Sequence, residues 1–235
     1  MRFDLWTAIL WIERLIAIAI IFQSVELIQL RKKITAIWGK DVLPSQVLRL
    51  LCCLGTLVYP DPFFCLGMLL GTTLTFRTFA GSFNGGSDAM TFNILICLSI
   101  ARLFSSTEII PQIAIGYLAL QLVMSYFLAG FSKLRKSNWR NGIALKNIFG
   151  SPFYEVPTKI SRIALTPAIW KTLALIVLVF EILFPLALTS TTAALVFVSF
   201  AFIFHLGNFW ALGLNRFVFA WLAAYPALFW LVGLR

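Results

Sequence analysis

Apolar residues recur along the chain in blocks of about 20, separated by short polar or basic segments. A helix that rises 1.5 Å per residue needs about 20 residues to cross the hydrocarbon core of a bilayer. Helices are favoured over a barrel because the blocks are this long and every backbone group must be satisfied inside the membrane. The pattern therefore predicts about eight transmembrane helices, at 5–30, 45–60, 62–80, 88–106, 110–132, 166–188, 191–212 and 215–233.

The segment 45–80 leaves two descriptions open, because Pro60 and Pro62 forbid a continuous helix. It is either two short helices or one broken hairpin. The first block runs straight into Arg31, Lys32 and Lys33 without a small-residue cleavage site, so we expect a retained helix and not a signal peptide.

Composition agrees with this pattern. Of the 235 residues, 60% are hydrophobic and 12% are charged, and the mean hydropathy is +0.92. These values lie far from those of a soluble domain. We predict an all-α fold, a polytopic transmembrane helical bundle that forms a single integral membrane domain over residues 1–235 and contacts the lipid bilayer.

The formal net charge of +10 comes from basic residues that lie between the predicted spans. This distribution is typical of the positive-inside rule and argues against nucleic-acid binding. With eight spans, it places both termini outside the cytoplasm and the 133–165 connection inside it, in a bacterial inner membrane. The basic residues on the predicted cytoplasmic side are Arg31, Lys32, Lys33, Lys40, Arg135, Lys136, Arg140, Lys146, Lys159, Arg162 and Arg216, against Arg2, Arg102 and Arg235 on the other.

Two connections have distinctive sequences. NGIALKNIFGSPFYEV, within 133–165, predicts a short interfacial helix followed by a Gly-Ser-Pro turn. GSFNGGS, at 81–87, predicts a flexible loop. The four cysteines lie in apolar segments without metal-ligand spacing, so packing in the bilayer explains them better than redox chemistry.

Ionisable groups inside predicted spans are functional candidates, because each costs about 2.5 kcal/mol or more to insert. Glu181 lies deep in an apolar run, four residues before Pro185, and is either a structural cap or a proton carrier. His205 is the only histidine and shares a helix face with Asn208. One histidine cannot build a metal site, so we predict none. A structural hydrogen bond and a functional role both remain open for His205.

Other charged residues in the spans have simpler interpretations. Glu13 and Arg14 are adjacent and point to different helix faces, so each is expected to find another partner. Lys171 lies near the start of its span and is expected to extend to the membrane surface.

The segment SYFLAGFSKLRKSNWRNGIALK, residues 125–146, resembles the signature of the HTTM superfamily, which includes the membrane domain of vitamin K-dependent gamma-carboxylase. GGSDAMTFN and FHLGNFWALGLNRFVFAWLAAYPALFW are similar to two further stretches of that family, in the same order. The residues that match the first signature are Tyr126, Phe127, Ala129, Gly130, Lys133, Leu134, Trp139 and Gly142.

The resemblance implies a role for Lys133 as the base that deprotonates a quinone-type lipid. It also implies that His205 and Asp88 occupy the family's Phe-His and acidic positions, as further catalytic residues. The expected polar groups of the cavity are Asn208, Glu181, Trp139 and Tyr126. One departure is that the carboxylase carries a second histidine, whereas this chain has only His205.

Lysine suits such chemistry, since a lysine held away from water can become a neutral amine that accepts a proton near pH 7. Ala129 and Gly130, just before Lys133, would permit close contact with another helix. Two functions follow from the sequence. The first is a membrane-embedded enzyme acting on a quinone-type lipid or a hydrophobic peptide. The alternative is a non-catalytic membrane subunit, or a peptide or partner-protein maturation factor, that binds a partner or lipid. A transporter is disfavoured because no inverted repeat is visible.

Overall fold

The computed structural model describes residues 4–81, 85–151 and 166–234. Every secondary element in these ranges is helical, which confirms the all-α prediction for them. We number the helices α1 Leu5–Gln29, α2 Arg31–Trp38, α3 Leu43–Val58, α4 Pro62–Thr78, α5 Gly86–Leu103, α6 Ile109–Leu134, α7 Ser137–Arg140, α8 Ile143–Phe149, α9 Pro167–Leu183, α10 Thr191–Leu212 and α11 Asn215–Gly233; a 3-10 helix, Phe184–Leu188, follows α9.

Five helices in the described ranges are long and apolar enough to cross a membrane: α1, α6, α9 with its 3-10 extension, α10 and α11. They are compatible with an integral membrane protein and indicate contact with lipid. The count of about eight spans is not confirmed. Helices α3, α4 and α5 lie where spans were predicted, but α3 has 16 residues and α4 has 17. At 1.5 Å per residue these reach only about 25 Å.

Proline and an aspartate separate α3 from α4. Helix α3 ends at Val58, and α4 begins at Pro62, a position where the missing N–H of proline costs no helical hydrogen bond. The Asp61 carboxylate caps α4 by accepting a hydrogen bond from the Phe63 N–H at 2.8 Å. Of the two descriptions of 45–80, two separate helices is the one observed.

The chain divides into two compact units, residues 1–119 with 219–235 and residues 120–218. In the first unit α1 packs against α3 and α5, and α4 packs against both α3 and α5. Glycines allow α3 and α4 to approach closely, because a Cβ on Gly71 would lie 2.5 Å from Arg49 Cγ and one on Gly67 would collide with the Cys52 sulfur. The assignment of one domain to residues 1–235 stays a prediction.

The second unit contains the last turns of α6, then α7 to α10. Helices α7 and α8 pack on α9. Gly142, between α7 and α8, has a left-handed φ of +77°, and a Cβ there would collide with the backbone of Trp170 and Lys171. The short helix predicted in the 133–165 connection is therefore present as α8, packed on the start of α9.

The predicted turns lie partly outside the described residues. Of the Gly-Ser-Pro turn, Pro152 falls outside them, as do residues 82–84 of the 81–87 loop. The loop prediction was wrong at its end, because Gly86 and Ser87 already form the first turn of α5. Small residues do not prevent a helix from beginning when the following residues favour it.

Candidate functional site

Lys133, in the last turn of α6, forms an ion pair with Glu181 of α9. The Glu181 side chain is 4% exposed and the Lys133 side chain 20% exposed. The Lys133 ammonium also lies 5.1 Å from the centre of the half-buried Trp139 ring, within range of a cation–π interaction. Lys133 therefore turns toward protein groups and not toward bulk water.

Gly130 explains how α6 approaches α9 closely enough for this pair. A Cβ on Gly130 would lie 2.8 Å from Glu181 Cβ and 2.9 Å from the backbone nitrogen of Ile182. Contacts that short are not tolerated, so only glycine fits at this crossing. The expected close helix contact is confirmed at Gly130, one turn before Lys133.

Tyr126 and His205 form a second polar pair in the same unit. The Tyr126 hydroxyl lies 2.7 Å from His205 Nε2, and each residue is 4% exposed. The Tyr126 ring stacks on Phe184, with the ring centres 4.0 Å apart. Tyr126 and Lys133 lie seven residues apart on one face of α6, and the Tyr126 ring centre lies 5.6 Å from that of Phe180, which directly precedes Glu181 on α9. The two polar pairs form one cluster, which we call the Lys133 cluster: Tyr126, Lys133, Glu181 and His205.

The Lys133 contact bears on the two interpretations of Glu181. One carboxylate oxygen, Oε1, contacts the ammonium. The other, Oε2, is buried and has no hydrogen-bond partner among the described residues. Helix α9 changes to a 3-10 helix at Phe184, just before Pro185, as expected where proline removes a helical hydrogen bond. The structure shows Glu181 as the ion-pair partner of Lys133, and its role as a structural cap or a proton carrier stays a prediction.

Asn208 and Asp88 are the remaining candidate residues. Asn208 is half-buried, three residues beyond His205 on α10. Asp88 belongs to the other unit, in the first turn of α5, where it is 2% exposed. Its carboxylate accepts a hydrogen bond of 3.2 Å from Gln23 Nε2. Lys171 is exposed at the start of α9, and its position near the membrane surface stays a prediction.

Sequence reasoning missed the polar network around Asp88. Its centre is Arg49, whose side chain is completely buried. Arg49 donates to Gln23, which also bonds Asp88, and to Gln46 at 2.9 Å. Gln46 in turn donates to Thr75 at 2.8 Å. The network joins α1, α3, α4 and α5, and an arginine inside the predicted span 45–60 was the signal that could have revealed it.

Glu13 has the separate partner that was expected for it. Both of its carboxylate oxygens accept hydrogen bonds from Arg102, at 2.6 and 2.5 Å. The Glu13 side chain is 1% exposed, and Cys65 Sγ lies 3.5 Å from Oε1. This geometry joins α1 and α5 by the two-point contact that arginine makes with a carboxylate.

An apolar groove lies between α9 and α10. Its volume is about 480 Å³, and its walls include Ile176, Val179, Phe180, Val196 and Phe200. The ring centres of Phe180 and Tyr126 are 5.6 Å apart, so one wall of the groove adjoins the Lys133 cluster. Within the described residues no three His, Cys, Asp or Glu side chains are placed to hold a metal ion.

No protein-family model, curated protein or solved structure matches this chain. The fold and the five long apolar helices define a helical protein compatible with integration in a membrane. What it does must be inferred from the cluster and the groove.

Proposed function

We propose that this protein is a membrane-embedded enzyme of the HTTM type, in which Lys133 acts as a base on a quinone-type lipid or a hydrophobic peptide. The supporting observation is the ion pair between Lys133 and the buried Glu181. A lysine that only anchors a helix end extends its ammonium toward the head groups. Lys133 instead contacts a carboxylate on another helix, in a place where water is scarce.

Glu181 can accept the proton that Lys133 carries. The pair shares one proton, held either on the amine or on the carboxylate. When Glu181 holds it, the Lys133 nitrogen has a free lone pair and accepts a proton from an acidic group of the substrate. Glu181 Oε2 receives a proton without breaking any other hydrogen bond in the described residues. The two side chains then carry one positive charge beside the newly formed substrate anion.

On our proposal, His205 and Tyr126 bind the polar part of the substrate beside Lys133. Their shared hydrogen bond holds both buried side chains in place. Held in this way, the pair orients a polar head group and stabilises the negative charge that a substrate oxygen gains as its proton leaves. A preorganised group does this most effectively where the local dielectric constant is low.

The groove between α9 and α10 supports an apolar substrate. Its volume of about 480 Å³ is within the range of small-molecule sites, about 300–1,000 Å³. Phe180 forms part of its wall and precedes Glu181, which fits a lipid with its tail in the groove and its head at the cluster. A quinone-type lipid, when bound, would supply the redox chemistry that none of these side chains has.

Substitution of Lys133 tests the base. Lys133→Arg keeps the positive charge but cannot act as a base, because arginine does not release its proton near neutral pH. Lys133→Ala removes both functions. We expect both variants to abolish the cellular phenotype that the unsubstituted gene restores to a deletion strain. Lys136→Ala, an exposed basic residue at the same helix end, is the matched control and should restore it.

The result with Lys133→Arg distinguishes a lysine that acts as a base from one that only anchors the helix end. Full restoration by Lys133→Arg contradicts the proposal, provided that membrane extracts contain equal amounts of each variant. His205 is the only histidine, so the imidazole NMR signals of purified protein report whether the Tyr126–His205 pair is intact in each variant. Loss of phenotype with unchanged signals excludes general misfolding as the reason.

A non-catalytic subunit, or a maturation factor for a peptide or protein partner, is the second candidate. Its support is the exposure of α10, of which only 22% of the most apolar window is buried. Val196, Ile203 and Trp210 are exposed by 61%, 67% and 72%, as in a helix that faces lipid or a partner helix. On this proposal Ile203→Ser impairs the phenotype, while Lys133→Arg does not.

A further inference from the structure

Helix α2 is an amphipathic helix at the end of a candidate membrane-spanning helix. Only Leu30 separates it from α1, so α2 begins directly after the end of that candidate span. Ile34, Ile37 and Trp38 follow the i, i+3, i+4 spacing and lie on one side of the helix. At 100° per residue, Lys32 lies on the opposite side and Lys33 beside Ile37.

Packing fixes how α2 is oriented within its unit. Ile34 is 7% exposed and belongs to a small core with Leu27, Val42 and Phe79. Trp38 meets Phe79 edge-on, with the ring centres 5.7 Å apart. Ile37, by contrast, is 75% exposed. The helix is therefore held by Ile34 and by one side of Trp38, which is 42% exposed, while Ile37 is left uncovered beside Lys33.

The basic residues of this region differ in their partners. Arg31 donates to Asp41 at 2.7 and 2.5 Å, and Lys40 donates to the carbonyl oxygen of Arg77 at 3.0 Å. Lys32 and Lys33 are exposed and make no ion pair or hydrogen bond within the described part of the chain. Their charges are therefore available to an external anion.

We infer that α2 is an interfacial helix that binds the head groups of anionic phospholipids through Lys32 and Lys33, with Ile37 inserted among the acyl chains. A basic helix with an apolar flank beside a membrane span has the composition for this interaction. Each basic residue close to an anionic membrane surface strengthens the binding equilibrium about fivefold. This surface belongs to α2, in the unit of residues 1–119 and 219–235, and does not rest on the function proposed for the Lys133 cluster.

Energy transfer from a probe on α2 to labelled lipids tests the inference. Ala36 is exposed and lies between Lys32 and Lys33 around the helix. The four native cysteines are buried, so Ala36→Cys provides the accessible thiol for a donor dye. The protein is reconstituted in phosphatidylcholine vesicles with a trace of acceptor on the acyl chain of either phosphatidylglycerol or phosphatidylcholine. We expect acceptor phosphatidylglycerol to be enriched severalfold around the probe.

Charge substitutions then identify the binding residues. Lys32→Gln combined with Lys33→Gln should reduce the enrichment ratio to about one. Lys136→Gln combined with Lys146→Gln removes the same charge from exposed positions of the other unit and should leave the ratio unchanged. Equal transfer to both labelled lipids in the unsubstituted protein overturns the inference. So does an equal loss in the two double variants, which would reveal attraction by net charge alone.

Discussion

Each of the two units contains an ion pair between a buried glutamate and a basic residue on another helix. Both carboxylate oxygens of Glu13 accept hydrogen bonds from Arg102, and one of them also accepts from the Cys65 thiol. Glu181 meets Lys133 with one oxygen and leaves the other without a described partner. Arginine does not release its proton near neutral pH, whereas lysine can. The first pair therefore holds α1 against α5, whereas the second contains the lysine and the carboxylate oxygen that the proposed proton transfer would use.

Removal of one carboxylate from each pair should give the largest effects and separate the pairs. Glu13→Gln leaves the Arg102 charge without its partner and should cost about 3–5 kcal/mol in the free energy of unfolding. Glu181→Gln should cost less, because a lysine left without a counter-charge can become neutral. Denaturant titration in detergent micelles measures both. Equal costs would mean that the lysine pair is as rigidly structural as the arginine pair.

Replacement of each whole pair by apolar residues should reverse most of that loss. The double change Glu13→Leu with Arg102→Met should return the free energy of unfolding to within about 1 kcal/mol of the starting value, because no unpaired buried charge remains. Lys133→Met with Glu181→Leu should be equally stable but lack the cellular phenotype. Retention of the phenotype in this second variant would remove the distinction between the two pairs.

The sequence was sufficient to locate the long apolar helices because periodicity and length act locally, whereas the short helices α2 and α7 were not predicted. Helices α10 and α11 occupy the residues predicted for them, and Pro62 marks the start of α4. The number of spans could not be obtained in the same way. A helix of 16 residues, such as α3, is too short to show by length alone whether it crosses the bilayer, and its burial depends on its neighbours.

The sequence predicted which residues belong to the candidate site, but not which of them contact each other. Glu181 and His205 stood out because polar groups are expensive in apolar spans, whereas Lys133 stood out through the resemblance of its segment to the HTTM signature. Their partners are distant in the chain, since Lys133 and Glu181 are separated by 48 positions and Tyr126 and His205 by 79. Such pairings depend on which helices become neighbours, and a single sequence does not contain that information. The resemblance to the HTTM superfamily, which supplied the roles, stays a prediction.

Gly130 allows a test of the Lys133–Glu181 pair that leaves both of its side chains unchanged. Gly130→Ala places a Cβ 2.8 Å from Glu181 Cβ and 2.9 Å from the Ile182 nitrogen, so α6 and α9 must move apart. Such overpacking costs about 1–3 kcal/mol, and the shift should also weaken the contact between Lys133 and Glu181. Gly116→Ala is the matched control on α6, where the nearest atom is 3.9 Å away on Trp230. Similar losses of stability at the two positions would contradict this account of the crossing.

The ion pair between Arg31 and Asp41 is exposed to solvent, and we expect its loss to change stability least of the three pairs. Its side chains are 45% and 37% exposed, so solvent screens their attraction. Hydrogen bonds from Arg31 and from the Leu43 N–H lower the pKa of Asp41 below its ordinary value of 3.8. A carboxylate with a lowered pKa stabilises the fold above its ordinary pKa, and that stabilisation disappears as the pH falls through the lowered value. Asp41→Asn should therefore shift the unfolding midpoint only slightly at pH 7, and the difference from the unsubstituted protein should vanish as the pH is lowered below about 4. A shift at pH 7 as large as that of Glu13→Gln would show that burial is not what separates strong pairs from weak ones in this protein.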